Sequence, residues 1–205
     1  MGIEFTDVRD LLLILAIASG LALAATLVYS MLNRHLEIWP PAARGSWQFH
    51  LSFGLFRVFC GTTTLFALFD WGSLGWDHWS RLAIGVPVLA IGAFFTVRGY
   101  LWLGIDNTYC EADGLVTGGL YEYSRNPQYV ASVAATIGLA ITTNSWVTLL
   151  LAGGLFALYT LFALNEEPWL REGYGEAYDE YAKRTPRFLD ERSIARAREK
   201  LVEAL

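Results

Sequence analysis

Apolar stretches long enough to cross a lipid bilayer recur along most of this 205-residue chain. A spanning helix needs about 20 consecutive apolar residues, because its backbone must satisfy itself where water is absent. Residues 8–32, 49–69 and 82–103 each meet that length. A fourth stretch, 130–164, is apolar except for Thr142, Thr143, Asn144 and Ser145, which mark a turn inside it. The reading is an all-α, polytopic membrane protein. It has about five transmembrane helices, the last two forming a hairpin, and a helical C-terminal tail. The arms of that hairpin, about 13 and 19 residues, are short for full spans of a hydrocarbon layer about 30 Å thick.

Lys and Arg place the loops, because positively charged residues accumulate on the cytoplasmic side. Arg34, Arg44, Arg98 and Arg125 share a side with eight basic residues after Glu167, against Arg9 and Arg81 on the other. The expected orientation has the N-terminus outside and the tail cytoplasmic. Residues 11–23 imitate the core of a signal peptide, but Glu4, Asp7 and Asp10 precede them where such a peptide is basic. They are read as a retained span. Arg57, the fifteenth basic residue, falls within the second span, where a charge is expensive and often functional.

The net charge of -5 gives no footing for nucleic acid. Cys60 and Cys110 are too far apart in sequence for a metal motif. His35, His50 and His78 are scattered over both sides, and no metal site is expected. Beyond Glu167 the chain is soluble in character. Tyr174, Tyr178 and Tyr181 share one helix face and read as a packing stripe, Pro186 ends that helix, and Ile194, Leu201, Val202 and Leu205 form the apolar face of a last amphipathic helix.

Two polar blocks flank the apolar hairpin. The first runs D-G-L-V-T-G-G-L-Y-x-x-S-R-N-P-x-Y from Asp113 to Tyr129. Its glycines allow close approach of a ligand to backbone, and Pro127 fits the first turn of a helix. The second runs E-E-x-x-L-x-x-x-Y-G-x-x-Y-x-x-Y from Glu166 to Tyr181, followed by Pro186-Arg187-Phe188. The hairpin returns the second block to the side of the first.

Together these blocks resemble the cofactor motifs of the isoprenylcysteine carboxyl methyltransferase family and its phospholipid-methyltransferase relatives. The resemblance covers about residues 98–189. It implies one membrane methyltransferase domain over 1–205, with N-terminal spans in 1–97, the catalytic core in 98–189 and an amphipathic tail in 190–205. The implied activity is methyl transfer from S-adenosylmethionine to a lipophilic acceptor, such as a phospholipid amine, a thiol or another small nucleophile. It implies that Asp113, Gly114, Leu115, Val116 and Tyr121 hold the cofactor, that Asn126, Pro127, Gln128 and Tyr129 wall it, and that Glu166 meets its ammonium. Glu166, Asn126 and Arg125 are the catalytic candidates.

Two positions depart from the family pattern. Asn126 stands where the usual motif has histidine, so no general base titrating near neutral pH is present there. Phe162 stands where the prenylcysteine enzymes have arginine, which argues against a prenylcysteine carboxylate as acceptor. Two rival functions are a non-catalytic scaffold or transporter using Arg57, and a nicotinamide-dependent enzyme like the sterol reductases.

Overall fold

The structure, a computed structural model, describes residues 5–33, 36–109 and 114–203. Arg34, His35, Cys110, Asp113 and Leu205 lie outside them. Among the described residues the chain forms α1 (Phe5–Leu32), α2 (Trp47–Phe69), α3 (Ser80–Leu103), α4 (Ile105–Thr108), a 3₁₀ turn (Gly119–Glu122), α5 (Pro127–Thr143), α6 (Trp146–Tyr174), α7 (Glu176–Arg184) and α8 (Glu191–Glu203), with no strand. Four of these, α1, α2, α3 and α6, are long and apolar enough to cross a membrane. The chain is an all-helical, multi-pass integral membrane protein.

The expected hairpin is present, with unequal arms. α5 has 17 residues, about 25 Å at 1.5 Å per residue, slightly short of a full crossing. α6 has 29 and runs well past the apolar segment, so Glu166 and Glu167 lie inside the helix instead of at its exposed end. It can continue because both carboxylates find partners, described below. Between the arms, Asn144 takes the left-handed conformation at φ 59°, and the Ser145 hydroxyl caps α6 by accepting from Thr148 N–H at 3.1 Å. The turn is shorter than the sequence suggests: Thr142 and Thr143 still belong to α5, each donating its hydroxyl to the carbonyl four residues back, and only Asn144 and Ser145 separate the arms.

Two contacts set the architecture. α1 packs along α2, with Leu23 and Leu27 of α1 and Phe59 and Phe66 of α2 in one core. Leu151, Leu155, Leu158 and Phe162 of α6 complete that core at helical spacing. The second contact, α3 on α5, rests on small residues. Gly85, Gly92 and Gly99 stand every seventh residue along α3. A methyl group at Gly92 would lie 2.5 Å from Ala135 N and 2.8 Å from Ala131 O, and at Gly85 it would lie 2.6 Å from Thr142 Oγ1. The two backbones therefore touch, as small residues permit between membrane helices where no hydrophobic force drives association.

The far end, remote from both polar blocks, is knotted by hydrogen bonds. Buried Asp70 accepts from Ser145 Oγ at 2.7 Å and Ser73 Oγ at 2.6 Å, and Gly72 N–H donates to Thr143 O at 3.0 Å. Arg9 of α1 approaches Asp70 at 3.9 Å. The loops before α2 and α5, the latter part of α6 and the tail all gather at the other end.

Candidate cofactor cleft and acceptor chamber

The two polar blocks meet at that near end. Arg125 N–H donates to Pro186 O at 2.8 Å, and both Asn126 Nδ2 (3.0 Å) and Ser124 Oγ (3.2 Å) donate to Arg187 O. Ser193 Oγ of α8 donates to Tyr123 O at 2.6 Å. The tail is thereby strapped across the loop. Under the strap, Tyr178 and Tyr181 are buried against Tyr121, with Tyr174 packed beside them, and Tyr181 donates its hydroxyl to Tyr121 O at 2.8 Å. Gly175 parts the expected stripe between two helices, Tyr174 ending α6 and Tyr178 and Tyr181 standing on α7; the three pack together and also line the cleft described below. Gly119 of this loop has φ 62°, and a side chain there would run into the Trp102 ring, so that corner requires glycine.

Glu166 and Glu167 point to different sides of α6, as neighbours about 100° apart on a helix must. Glu167 faces the strap. Arg187 binds it through Nε (2.6 Å) and Nη2 (3.0 Å), and Arg125 Nη1 lies 3.1 Å away. Arg125 also donates to Tyr178 OH at 2.7 Å. This arginine thus joins loop, α6 and α7. Arg187 is held above its ordinary range chiefly by the hydrogen bond to Glu167.

Glu166 faces inward. Its Oε1 accepts from Trp39 Nε1 at 3.0 Å and Tyr129 OH at 2.8 Å. Both bonds end on the same oxygen, and the residue lines the cleft. Tyr129 in turn stacks on Tyr159, centroids 4.1 Å apart and planes 12° apart, and Tyr159 donates to Ser132 Oγ at 3.0 Å. The carboxylate is therefore aimed by aromatic groups from the loop before α2, from α5 and from α6.

The space around Glu166 measures about 820 Å³ with its open mouth included. Gly114, Leu115, Val116, Tyr121, Arg125, Asn126, Gln128 and Tyr129 line it with Glu166. The structure brings all of these expected residues together. Pro127 is the exception. It occupies the first turn of α5 and faces an apolar groove with Val88, Ile91 and Phe95 of α3. Asn126 and Gln128 on either side of it turn inward, so the proline shapes the wall from behind. Asp113 lies outside the described residues.

Three buried polar atoms lining this cleft have no hydrogen-bond partner among the described residues: Tyr121 Oη, Gln128 Oε1 and Arg125 Nε. Native proteins leave few such atoms, and each costs about 1–3 kcal/mol when unmet. Burial, then the nearby Tyr181 and Glu166, push the Tyr121 phenol well above its ordinary range, so it remains a protonated donor at neutral pH. The cleft offers a carboxylate, a donor and an acceptor around a mostly apolar wall, a donor set suited to a zwitterionic ligand with an apolar body. Among the described residues, no group of three or more His, Cys, Asp or Glu is placed to hold a metal ion.

A second, aromatic space adjoins the first. Trp39, Phe53 and Phe56 of the α2 side, Thr96 and Tyr100 of α3, and Tyr159 and Phe162 of α6 line a space of about 460 Å³, its open side included. It shares Thr108, Gln128 and Tyr129 with the cleft. Sequence reasoning missed Trp39, which stands 127 residues from its partner Glu166. A tryptophan immediately before Pro40-Pro41 was the available signal.

The chain matches the phospholipid methyltransferase family over residues 80–177, from the start of α3 into α7. The chain belongs to this family. It is 30% identical over 145 residues to the nickel-cobalt-cadmium resistance protein NccN of Alcaligenes xylosoxydans xylosoxydans, covering 70% of this chain and 67% of that protein. It is 33% identical over 73 residues to the protein-S-isoprenylcysteine O-methyltransferase of Schizosaccharomyces pombe, covering 35% of this chain and 31% of the enzyme. It is 28% identical over 120 residues to the steroid 5-alpha-reductase DET2 of Solanum lycopersicum, covering 54% and 43%. No solved structure matches it. The family match includes α3, which lies wholly before the two sequence motifs, and α3 is the helix whose glycines meet the backbone of α5.

Proposed function

We propose that the protein is an S-adenosylmethionine-dependent methyltransferase acting on a lipophilic acceptor, with its cleft and tail on the cytoplasmic side and its N-terminus outside. The observation that carries this reading is the junction of two unlike spaces at Gln128 and Tyr129, a polar cleft around Glu166 and an aromatic chamber. When bound, S-adenosylmethionine supplies an electrophilic methyl group on a sulfonium. The residues present fit it. Glu166 Oε2 would meet the ammonium, a strong charge-assisted bond where water is excluded. Leu115 and Val116 would hold it through the backbone, and Tyr121 and Gln128 would satisfy their buried polar atoms on it.

The chain's own work is orientation and water exclusion. Trp39, Phe53, Phe56, Tyr159 and Phe162 form a dry wall for an apolar acceptor, and alignment of reactants alone contributes several kcal/mol to such a transfer. Asn126 donates its amide to Arg187 O, so its part is to hold the strap while lining the cleft. Arg125, joined to Glu167 and Tyr178, positions the loop from the same side.

Purified protein is incubated with methyl-labelled S-adenosylmethionine and a total lipid and thiol extract, and the pool that takes the label names the acceptor class. Absence of label in every pool, together with no cofactor binding by calorimetry, overturns the proposal. The likeness to a steroid reductase favours one rival, a nicotinamide enzyme. Quenching of nicotinamide fluorescence on mixing would decide for it.

A further inference from the structure

The tail helix α8 is fastened to the body by one face and leaves another bare. Ser193 donates to Tyr123 O at 2.6 Å, and Arg196 and Lys200 reach Glu122 at 3.1 and 3.6 Å. These residues, spaced i, i+3 and i+7, form the attached face. About a quarter-turn round the helix stand Ile194 and Leu201, with Leu189 just before the helix and Val202 near its end. All four are exposed over more than half of their surface. Leu189, Ile194, Ala197 and Leu201 line one open hollow with Tyr123. Leu189 and Tyr123 also line a second, an apolar groove between Val88, Ile91 and Phe95 of α3 and Val130, Ala131 and Ala134 of α5. Phe95 and Val88 stand eight and fifteen residues before the end of α3 at Leu103, roughly 12 and 22 Å along it at 1.5 Å per residue. The groove therefore lies within the hydrocarbon layer, and the bare face of α8 continues it at the near end.

We infer that this continuous trough docks the protein on a phospholipid of the surrounding leaflet, with an acyl chain in the groove and an anionic headgroup at Arg198. Three observations carry it. The groove has a floor of small residues, Gly92, Ala131 and Ala134, between larger apolar ones, a recess that an acyl chain fills. The bare face of α8 adjoins that groove, as the apolar face of an interfacial helix adjoins the acyl region. Of the basic residues of α8, Arg192 binds Asp190 at 2.8 Å, while Arg196 and Lys200 are engaged with Glu122. Arg198 lines the hollow, is exposed, and makes no ion pair among the described residues. The carboxylate in that hollow, Asp190, is the one Arg192 already holds. Arg198 is thus the cation left for a headgroup, on a stem long enough to reach one from an apolar face. The site lies across α5 from the cleft, behind Pro127, so it stands whatever the cleft transfers.

Protein is placed singly in nanodiscs of phosphatidylcholine, with or without phosphatidylglycerol, and α8 is followed by hydrogen exchange at neutral pH. Native mass spectrometry of the same samples identifies the lipid that stays bound. Wild-type α8 should exchange about fivefold more slowly with phosphatidylglycerol present, the effect of one basic residue at an anionic surface. Phosphatidylglycerol should be the lipid retained. Arg198→Gln should remove the difference between the two lipid mixtures. Leu201→Ser should speed exchange in both, and Ala134→Leu, which fills the groove, should abolish retention. Arg198 and Leu201 are exposed, so their variants keep the test open should Ala134→Leu fail to fold. Equal exchange of wild-type α8 in the two mixtures, an unchanged difference in Arg198→Gln, or no retained phospholipid overturns the inference. Protection of α8 that appears only in discs loaded with two copies assigns the face to a second chain and equally overturns it.

Discussion

Glu166→Gln tests the centre of the cleft. The amide carbonyl can still accept from Trp39 Nε1 and Tyr129 OH, because both bonds converge on one oxygen of the carboxylate. The aromatic support therefore survives, and the substitution removes charge alone. A hydrogen bond to a charged group contributes about 1.5–3 kcal/mol and a neutral one about 0.5–1.5. The difference, about 1–2 kcal/mol, weakens S-adenosylmethionine binding by roughly 5–30-fold. Calorimetry on protein in detergent measures it. An analogue lacking the α-amino group should bind wild type and variant equally, since the lost contact is to that amine. A variant that binds the cofactor within twofold of wild type would refute the assignment of Glu166. So would an equal loss for the amine-free analogue.

Glu167→Gln leaves Arg125, a side chain only 12% exposed, and Arg187 without their anion. Breaking such a pair costs about 3 kcal/mol, and limited proteolysis should release the segment after α7 while cofactor affinity falls; an unchanged digestion pattern would sink the latch. Gly92→Leu forces side-chain atoms against Ala131 and Ala135 of α5. Overpacking by about 1–3 kcal/mol should lower the melting midpoint by roughly 2–12 °C, whereas Gly153→Ala, with nothing within 4 Å, should not. Glu122 binds Arg196 at 3.1 Å and Lys200 at 3.6 Å. Burial pushes its carboxyl up, but those two cations outweigh it and hold the group below its ordinary range. A depressed carboxyl stabilises above its unfolded value and loses that contribution as pH falls through the folded one. Hydrogen exchange of α8, corrected for intrinsic rate, should therefore rise below about pH 4, and constant protection down to pH 3 would count against the contact.

Much of this architecture was readable in the chain because local chemistry forced it. Thr142 to Ser145 offers an asparagine that tolerates the left-handed region and a serine that caps a helix, so the hairpin turn had one sensible place. Pro127 could only begin a helix there. The spacing of the polar blocks, with an apolar hairpin between, put loop and acids at one end. What stayed hidden depends on partners distant in sequence. Glu166 and Glu167 look like the surfacing end of a helix until Trp39, Tyr129, Arg125 and Arg187 supply their hydrogen bonds, and only then can α6 run on to Tyr174. Gly85, Gly92 and Gly99 are evenly spaced for anyone to see. Their meaning lies in the facing backbone of α5, which spacing alone does not name.

That glycine seam has a consequence for how the protein can change. Where α3 meets α5 the contact is backbone against backbone, so any added atom along the seam displaces a helix. The α2 wall of the aromatic space is made of side chains, Phe53 and Phe56, that pack on the rings of Trp39, Tyr159 and Phe162. Selection, or a designer, can rewrite α2 one residue at a time while α3 and α5 act as a fixed anvil. The shape of the aromatic space can accordingly drift through a single helix, leaving the cleft around Glu166 untouched.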